Sequence, residues 1–217
     1  MNTRFLRLFP LESVVLLPGA LLPLVVFEQR YLQLTQECLD SNEPFGIVLL
    51  RQGREAGDSE SVPYSIGTTA KIEEVQNGKS GKLHIQVRGM ERFEIKELNN
   101  TTPYLSAEVE ILEDSKNVDS QAKLTIETKN LAENVLKALI SRSGGWVKDF
   151  LMPDDPNQLS FLIAQMFQGD LNEQQSLLEL NSTEDRLTRE SKLLKRILKE
   201  VINEKGDKIN KNKFSLN

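Results

Sequence analysis

The stretch FPLESVVLLPGALLPLVVFEQRY, Phe9 to Tyr31, constrains this chain more than any other window, because an apolar run, two proline-marked corners and the start of a helix follow one another within it. Val14 to Leu17 carries no polar residue and predicts a strand buried on both faces. Pro18-Gly19 stops that run, since proline presets φ at the second position of a type II turn and glycine accepts the positive φ at the third. Ala20 to Phe27 is a second run, and its Pro23 cannot donate to a ladder, which predicts an edge, a bulge or a bend. From Phe27 the period changes. Phe27, Tyr31, Leu34 and Cys38 are separated by polar residues at helical spacing, so a helix with one apolar stripe is expected there. Arg4 and Arg7 before this stretch loosely mimic a secretory signal, but the prolines and glycine interrupt it and Glu28-Gln29-Arg30 is no cleavage site. The run is also shorter than the roughly 20 apolar residues that cross a bilayer.

With 217 residues the chain can form one large domain or two coupled ones. Thirty-two acidic against 27 basic residues give a net charge of −5, which disfavours binding driven by phosphate neutralisation. Nucleic acid is therefore demoted as a partner. The single cysteine, Cys38, excludes an internal disulfide framework and any multi-cysteine metal site. With no targeting segment read in it, the cytoplasm is the expected location.

Phe45 to Leu50 is another continuous apolar run, followed by a polar loop over Arg51–Ser61. From Ile66 the pattern alternates: Thr68, Ala70 and Ile72 oppose Lys71 and Glu73; Leu83, Ile85 and Val87 oppose His84, Gln86 and Arg88. Phe93 and Ile95 oppose Glu94 and Lys96, and Leu105, Ala107, Val109 and Ile111 complete the series. These are expected to be half-buried antiparallel strands turning at Asn77-Gly78 and Asn99-Asn100. About six such strands with one early helix predict a closed or nearly closed β-barrel. Near Asp114 the period becomes helical. Leu124, Thr128, Leu131, Val135 and Ala138 mark a long helix ending toward Ser143-Gly144-Gly145. Asp155-Pro156 starts another, a short helix covers Glu173 to Glu179, and the last begins after Ser182 with Asp185 as its capping-box partner. The fold class expected is α+β: a barrel over 1–114 with one inserted helix, a helical bundle over 115–203 and a disordered polar tail over 204–217.

In this order, FPL…VVLLPG…LPL…FEQRY, FGIVLL, IGTTAKI, RGMERFEI, YLSAEVEIL, DPNQLSFLIAQ and Gln175-Leu177-Leu178-Glu179 with Arg186-Leu187 resemble the N-terminal, substrate-recognition domain of the Lon protease family. That resemblance implies a barrel of the pseudouridine-synthase-associated (PUA-like) kind followed by a helical bundle. It marks Pro18, Gly19, Pro23, Phe27, Glu28, Arg30, Tyr31, Gly89, Arg92 and Phe93 as structural motif residues. Lon proteases continue into ATPase and Ser-Lys peptidase modules, and neither is expected here. Gly78-Lys79-Ser80 ends like a P-loop, yet Glu73 stands where its first glycine belongs.

His84 on the polar face of a strand reads as a solvated imidazole, Cys38 as core, and the Glu28/Arg30 pair as an anchor at the start of the first helix. Trp146, Phe150, Leu151 and Met152 lie outside the helical periodicity and are the candidate protein-binding residues, against the alternative that Trp146 and Phe150 plug the junction between barrel and bundle. The function expected is a non-catalytic module recognising unfolded or exposed apolar polypeptide segments, as an adaptor or chaperone-like factor beside a separately encoded protease. It needs no cofactor or membrane; the alternative is RNA binding through the barrel.

Overall fold

The computed structural model describes residues 3–52, 62–114, 121–147 and 150–213, with side chains described as far as Asn203. It divides into two compact units, one formed by Met1–Asp114 with Ala164–Asn181, the other by Ser115–Ile163 with Ser182–Asn217.

The first unit holds strands β1 (Thr3–Leu11), β2 (Leu21–Val26), β3 (Phe45–Gln52), β4 (Val62–Pro63), β5 (Ile66–Asn77), β6 (Leu83–Asn99) and β7 (Ser106–Leu112), with helix α1 (Gln29–Ser41) between β2 and β3. The strands pair in the order β1-β7-β6-β5-β3-β4, and β1 also pairs with β3, so the ladder returns on itself. Only the β1–β3 pairing is parallel among these ladders. Inside, Phe9, Tyr31, Leu34, Cys38, Phe45, Ile47, Ile85 and Val87 share one core cluster, while Leu6, Leu8, Val48, Phe93, Ala107 and Val109 form another. Phe45 to Leu50 is buried throughout, as its unbroken apolar run requires. The expected hairpin at Asn77-Gly78 is present: Gly78 N–H donates to the Lys82 carbonyl at 2.8 Å, and the P-loop-like Lys79-Ser80 lies in that turn.

Several expectations change. In Val14–Leu17 the last three residues are buried and Val14 half-buried, but the segment belongs to no ladder. Its polar backbone is met differently: the Thr68 hydroxyl donates to the Leu16 carbonyl at 2.6 Å, and the Leu17 carbonyl accepts from Ala20 N–H at 3.0 Å. That second bond closes the type II turn over Pro18-Gly19, with Gly19 at φ +80. The first strand is instead β1, whose charged Arg4 and Arg7 hide it from an apolar reading. Leu83–Val87 and Phe93–Ile95 are one strand, β6, which pairs with β2 and β5 along its first part and with β5 and β7 along its second. The loop expected over Arg51–Ser61 lies, from Gly53 on, outside the described residues.

Ala164–Asn181, placed with the helical half by its periodicity, gathers with the strands. It contains α4 (Leu171–Glu179), capped by Asp170, whose carboxylate accepts from Glu173 N–H at 3.0 Å. Two side chains tie it down: Gln175 donates to the Ile66 carbonyl at 3.0 Å, and Arg92 reaches the last turn of α4.

The second unit contains α2 (Gln121–Arg142), α5 (Thr183–Lys213) and α3 (Pro156–Ala164), whose last residue falls in the other unit. Thr125, Thr128, Ala132 and Val135 form the buried face of α2, and Leu187, Leu194 and Val201 that of α5. Gly144, at φ +81, ends α2 in a Schellman motif: Gly145 N–H bonds the Ile140 carbonyl at 3.0 Å and Gly144 N–H that of Ser141 at 3.3 Å. Asp155 caps α3 through Gln158 N–H at 2.8 Å, and Ser182 caps α5 through Asp185 N–H at 3.2 Å. The α5 helix runs past Asn203 to Lys213, where composition predicts a disordered tail; its lysines and glutamate are good helix formers.

Candidate functional site

The motif residues of the opening stretch build a platform. Gly89 accepts from Gly19 N–H at 2.8 Å and donates to the Ala20 carbonyl at 2.9 Å, so the Pro18-Gly19 turn is clasped against β6. A Cβ on Gly89 would strike the Leu17 carbonyl oxygen, which is why glycine stands there. Glu28 begins α1, and its carboxylate takes Arg30 at 2.9 Å while that guanidinium lies 4.4 Å from the Tyr31 ring. The pair fixes the start of the helix. Phe93 is fully buried in the core, and Arg92 is buried beside it.

What this platform presents is strand β2. Its alternate residues Leu21, Pro23 and Val25 point outward, and Phe27 continues the row: Leu21 is 46%, Val25 49% and Phe27 62% exposed. Leu22 and Leu24 are half-buried and Val26 is buried, so the alternation of the strand turns one apolar side inward and leaves another in solvent. Among the described residues β2 pairs with β6 alone, placing Leu21, Pro23 and Val25 opposite Arg88, Gln86 and His84. Pro23 thus sits on an edge strand, as its missing N–H demands. Lys82 Nζ lies 5.6 Å over the Phe27 ring. Phe27 was expected in the stripe of α1; it precedes the Glu28 cap and so escapes the helix geometry that buries Tyr31, Leu34 and Cys38. Sequence reasoning missed this row because an all-apolar run hides which half faces out.

In the second unit, Trp146 is 82% exposed and Leu151 is fully exposed, Phe150 is half-buried, and Met152 is buried. Lys129 on α2 holds the segment, donating to the Met152 carbonyl at 3.2 Å and to Asp154 at 2.8 Å. Of the four candidates, Trp146 and Leu151 are therefore presented to solvent, and Met152 is withdrawn by its packing.

The titratable candidates are His84 and Cys38. His84 is exposed on β6. Burial pushes the Cys38 thiol up to about 11, which keeps it protonated and unreactive. Among the described residues no three His, Cys, Asp or Glu side chains gather as a metal site, and no helix is long and apolar enough to cross a membrane.

The returning ladder of mostly antiparallel strands and the five α-helices among the described residues match the fold of solved Lon N-terminal domains. Against the Lon N-terminal domain protein from Xanthomonas campestris the TM-score is 0.64 at 29% identity, covering 86% of this chain and 96% of that one. The N-terminal domain of a Mycobacterium avium complex Lon protease gives 0.63 at 18% identity, a likeness of fold. The family profile for the ATP-dependent protease La (LON) substrate-binding domain matches residues 6–196, and the chain belongs to that family. Lon protease 2 of Myxococcus xanthus is 30% identical over 194 residues, and the Lon protease of Anaeromyxobacter dehalogenans 28% over 193. Each match covers 88% of this chain but 23% of the relative, so the chain spans under a quarter of the length of these relatives.

Proposed function

We propose that this domain holds exposed apolar segments of unfolded polypeptides, as a non-catalytic adaptor or chaperone-like module working in the cytoplasm beside a protease. The observation that carries the reading is the outward row Leu21, Pro23, Val25 and Phe27 on a strand that, among the described residues, pairs along one edge only. Large apolar side chains held in water on a rigid strand gain free energy when a partner covers them, roughly 25 cal/mol per Å² of area removed from water. A family described as substrate-binding supports the same conclusion. In this reading the ring of β1, β7, β6, β5 and β3 is a PUA-like barrel serving as a scaffold, and Trp146 with Leu151 gives the helical unit an apolar contact of its own.

The test compares one polypeptide in two states. Fluorescein-labelled lactalbumin, native or reduced and carboxymethylated, is titrated with the purified protein and followed by anisotropy. Binding of the unfolded form alone, little changed between about 50 and 200 mM salt, supports the reading. Capture that weakens steeply with salt would mean charge pairing rather than burial of apolar surface and would count against the reading, and equal binding of both states would refute recognition of unfolded chain.

A further inference from the structure

Glu190, on α5, is completely buried, and neither of its carboxyl oxygens has a hydrogen-bond partner. The Thr128 hydroxyl on α2 is likewise buried and unpartnered. An ionised carboxylate placed this way, without a partner, is strongly disfavoured, and protonation removes that penalty.

The charges around Glu190 do not supply that partner. Arg186 precedes it by one turn of α5, yet its guanidinium is engaged elsewhere: Nε donates to Ser160 Oγ at 2.7 Å, Nη2 to Thr183 Oγ1 at 3.3 Å, and the group lies 4.0 Å from the Phe161 ring. Helix α3, which provides Ser160 and Phe161, has no titratable residue. On α2 the buried positions are uncharged; Lys123 pairs with Glu127, Lys137 with Glu133 and Lys129 with Asp154, and Arg142 is exposed at its last turn. Farther along α5, Arg189 is half-buried and Lys192 is exposed. Burial accordingly pushes the Glu190 carboxyl well above the usual carboxylate range, opposed only by attraction to Arg186.

We propose that Glu190 is a pH-responsive release within the helical unit: packed, it is a neutral acid, and it ionises when α5 loosens and water reaches it. The folded group binds its proton more tightly than the open one. Its contribution to stability is therefore fully present below about 4.5, the ordinary value, and is lost as pH rises toward the folded value. Within that window a single linked proton makes opening about tenfold easier per pH unit. Opening of α5 would uncover Leu187, Leu194 and Val201. This device is independent of what the domain binds.

Amide hydrogen exchange of the whole chain between about pH 5 and 9, corrected for intrinsic rates, tests it. Peptides from α2 and α5 should lose protection by about tenfold per pH unit over part of this range in the wild type, and show no such loss in Glu190→Gln, while peptides from β6 and β7 behave alike in both. The same pH trend in both proteins would overturn the proposal. Titration of the Glu190 carboxyl carbon in the wild type by NMR decides the matter without a variant: a midpoint at or below the ordinary value of 4.5 overturns the proposal, and one clearly above it supports it.

Discussion

Phe9 on β1 and Tyr31 on α1 stack ring on ring, with centroids 3.9 Å apart and planes 11° from parallel. The two ends of the opening stretch thus meet in the core, with Phe45 6.1 Å from Phe9. Phe9→Ala should cost about 3–5 kcal/mol in urea unfolding of this unit, from lost burial plus the cavity left behind. Phe9→Leu, which keeps most of the volume, should cost markedly less. A loss under about 1 kcal/mol for Phe9→Ala would show that the stack contributes little.

The buried guanidinium of Arg92 is a second fixed point. It donates to the carbonyls of Leu178 and Leu180 at 2.8 Å each and pairs with Asp114. Arg92→Met removes the buried cation and its donors from that acid and two carbonyls and should destabilise the unit by about 3–5 kcal/mol. Arg92→Lys lacks the planar fork and should also be clearly destabilised. A lysine variant as stable as wild type would mean that charge alone suffices.

Glu37 on α1 accepts from the Tyr104 hydroxyl, from Gln33 at 2.9 Å and from Arg7 at 3.0 Å, and these bonds hold its carboxyl below the usual range, the tyrosine contributing most. The stability this gives is present above about 4.5 and is lost as pH falls through the folded value. Tyr104→Phe should cost about 1 kcal/mol at pH 7, and the gap from wild type should narrow as the medium is acidified. A gap constant from pH 7 to pH 3 would contradict this assignment.

The local chemistry of the fold was readable from sequence, whereas its long-range pairing was not. Pro18-Gly19, Asp155-Pro156 and Ser182 with Asp185 announce a turn and two caps because each acts on its own backbone within four residues. Val14–Leu17 misled because apolar chain packed against the core need not pair; a threonine hydroxyl and a turn satisfy the Leu16 and Leu17 carbonyls. Arg92 is marked as structural by the family resemblance alone, because the carbonyls it holds, those of Leu178 and Leu180, lie more than eighty residues away. The candidate site divides likewise. Trp146 and Leu151 stood out by composition, while the β2 row required the strand's facing, which Pro23 hinted at and an unbroken apolar run concealed.

The central claim is that the β2 row captures unfolded polypeptide. Its most direct test is the Kd for reduced, carboxymethylated lactalbumin of the triple variant Leu21→Ser, Val25→Ser, Phe27→Ser, measured beside wild type with Tm as the control for folding. Removing three exposed apolar anchors should weaken binding by at least about tenfold, or 1.4 kcal/mol, with Tm nearly unchanged because these side chains face solvent. An unaltered Kd in a variant of unaltered Tm would contradict the account.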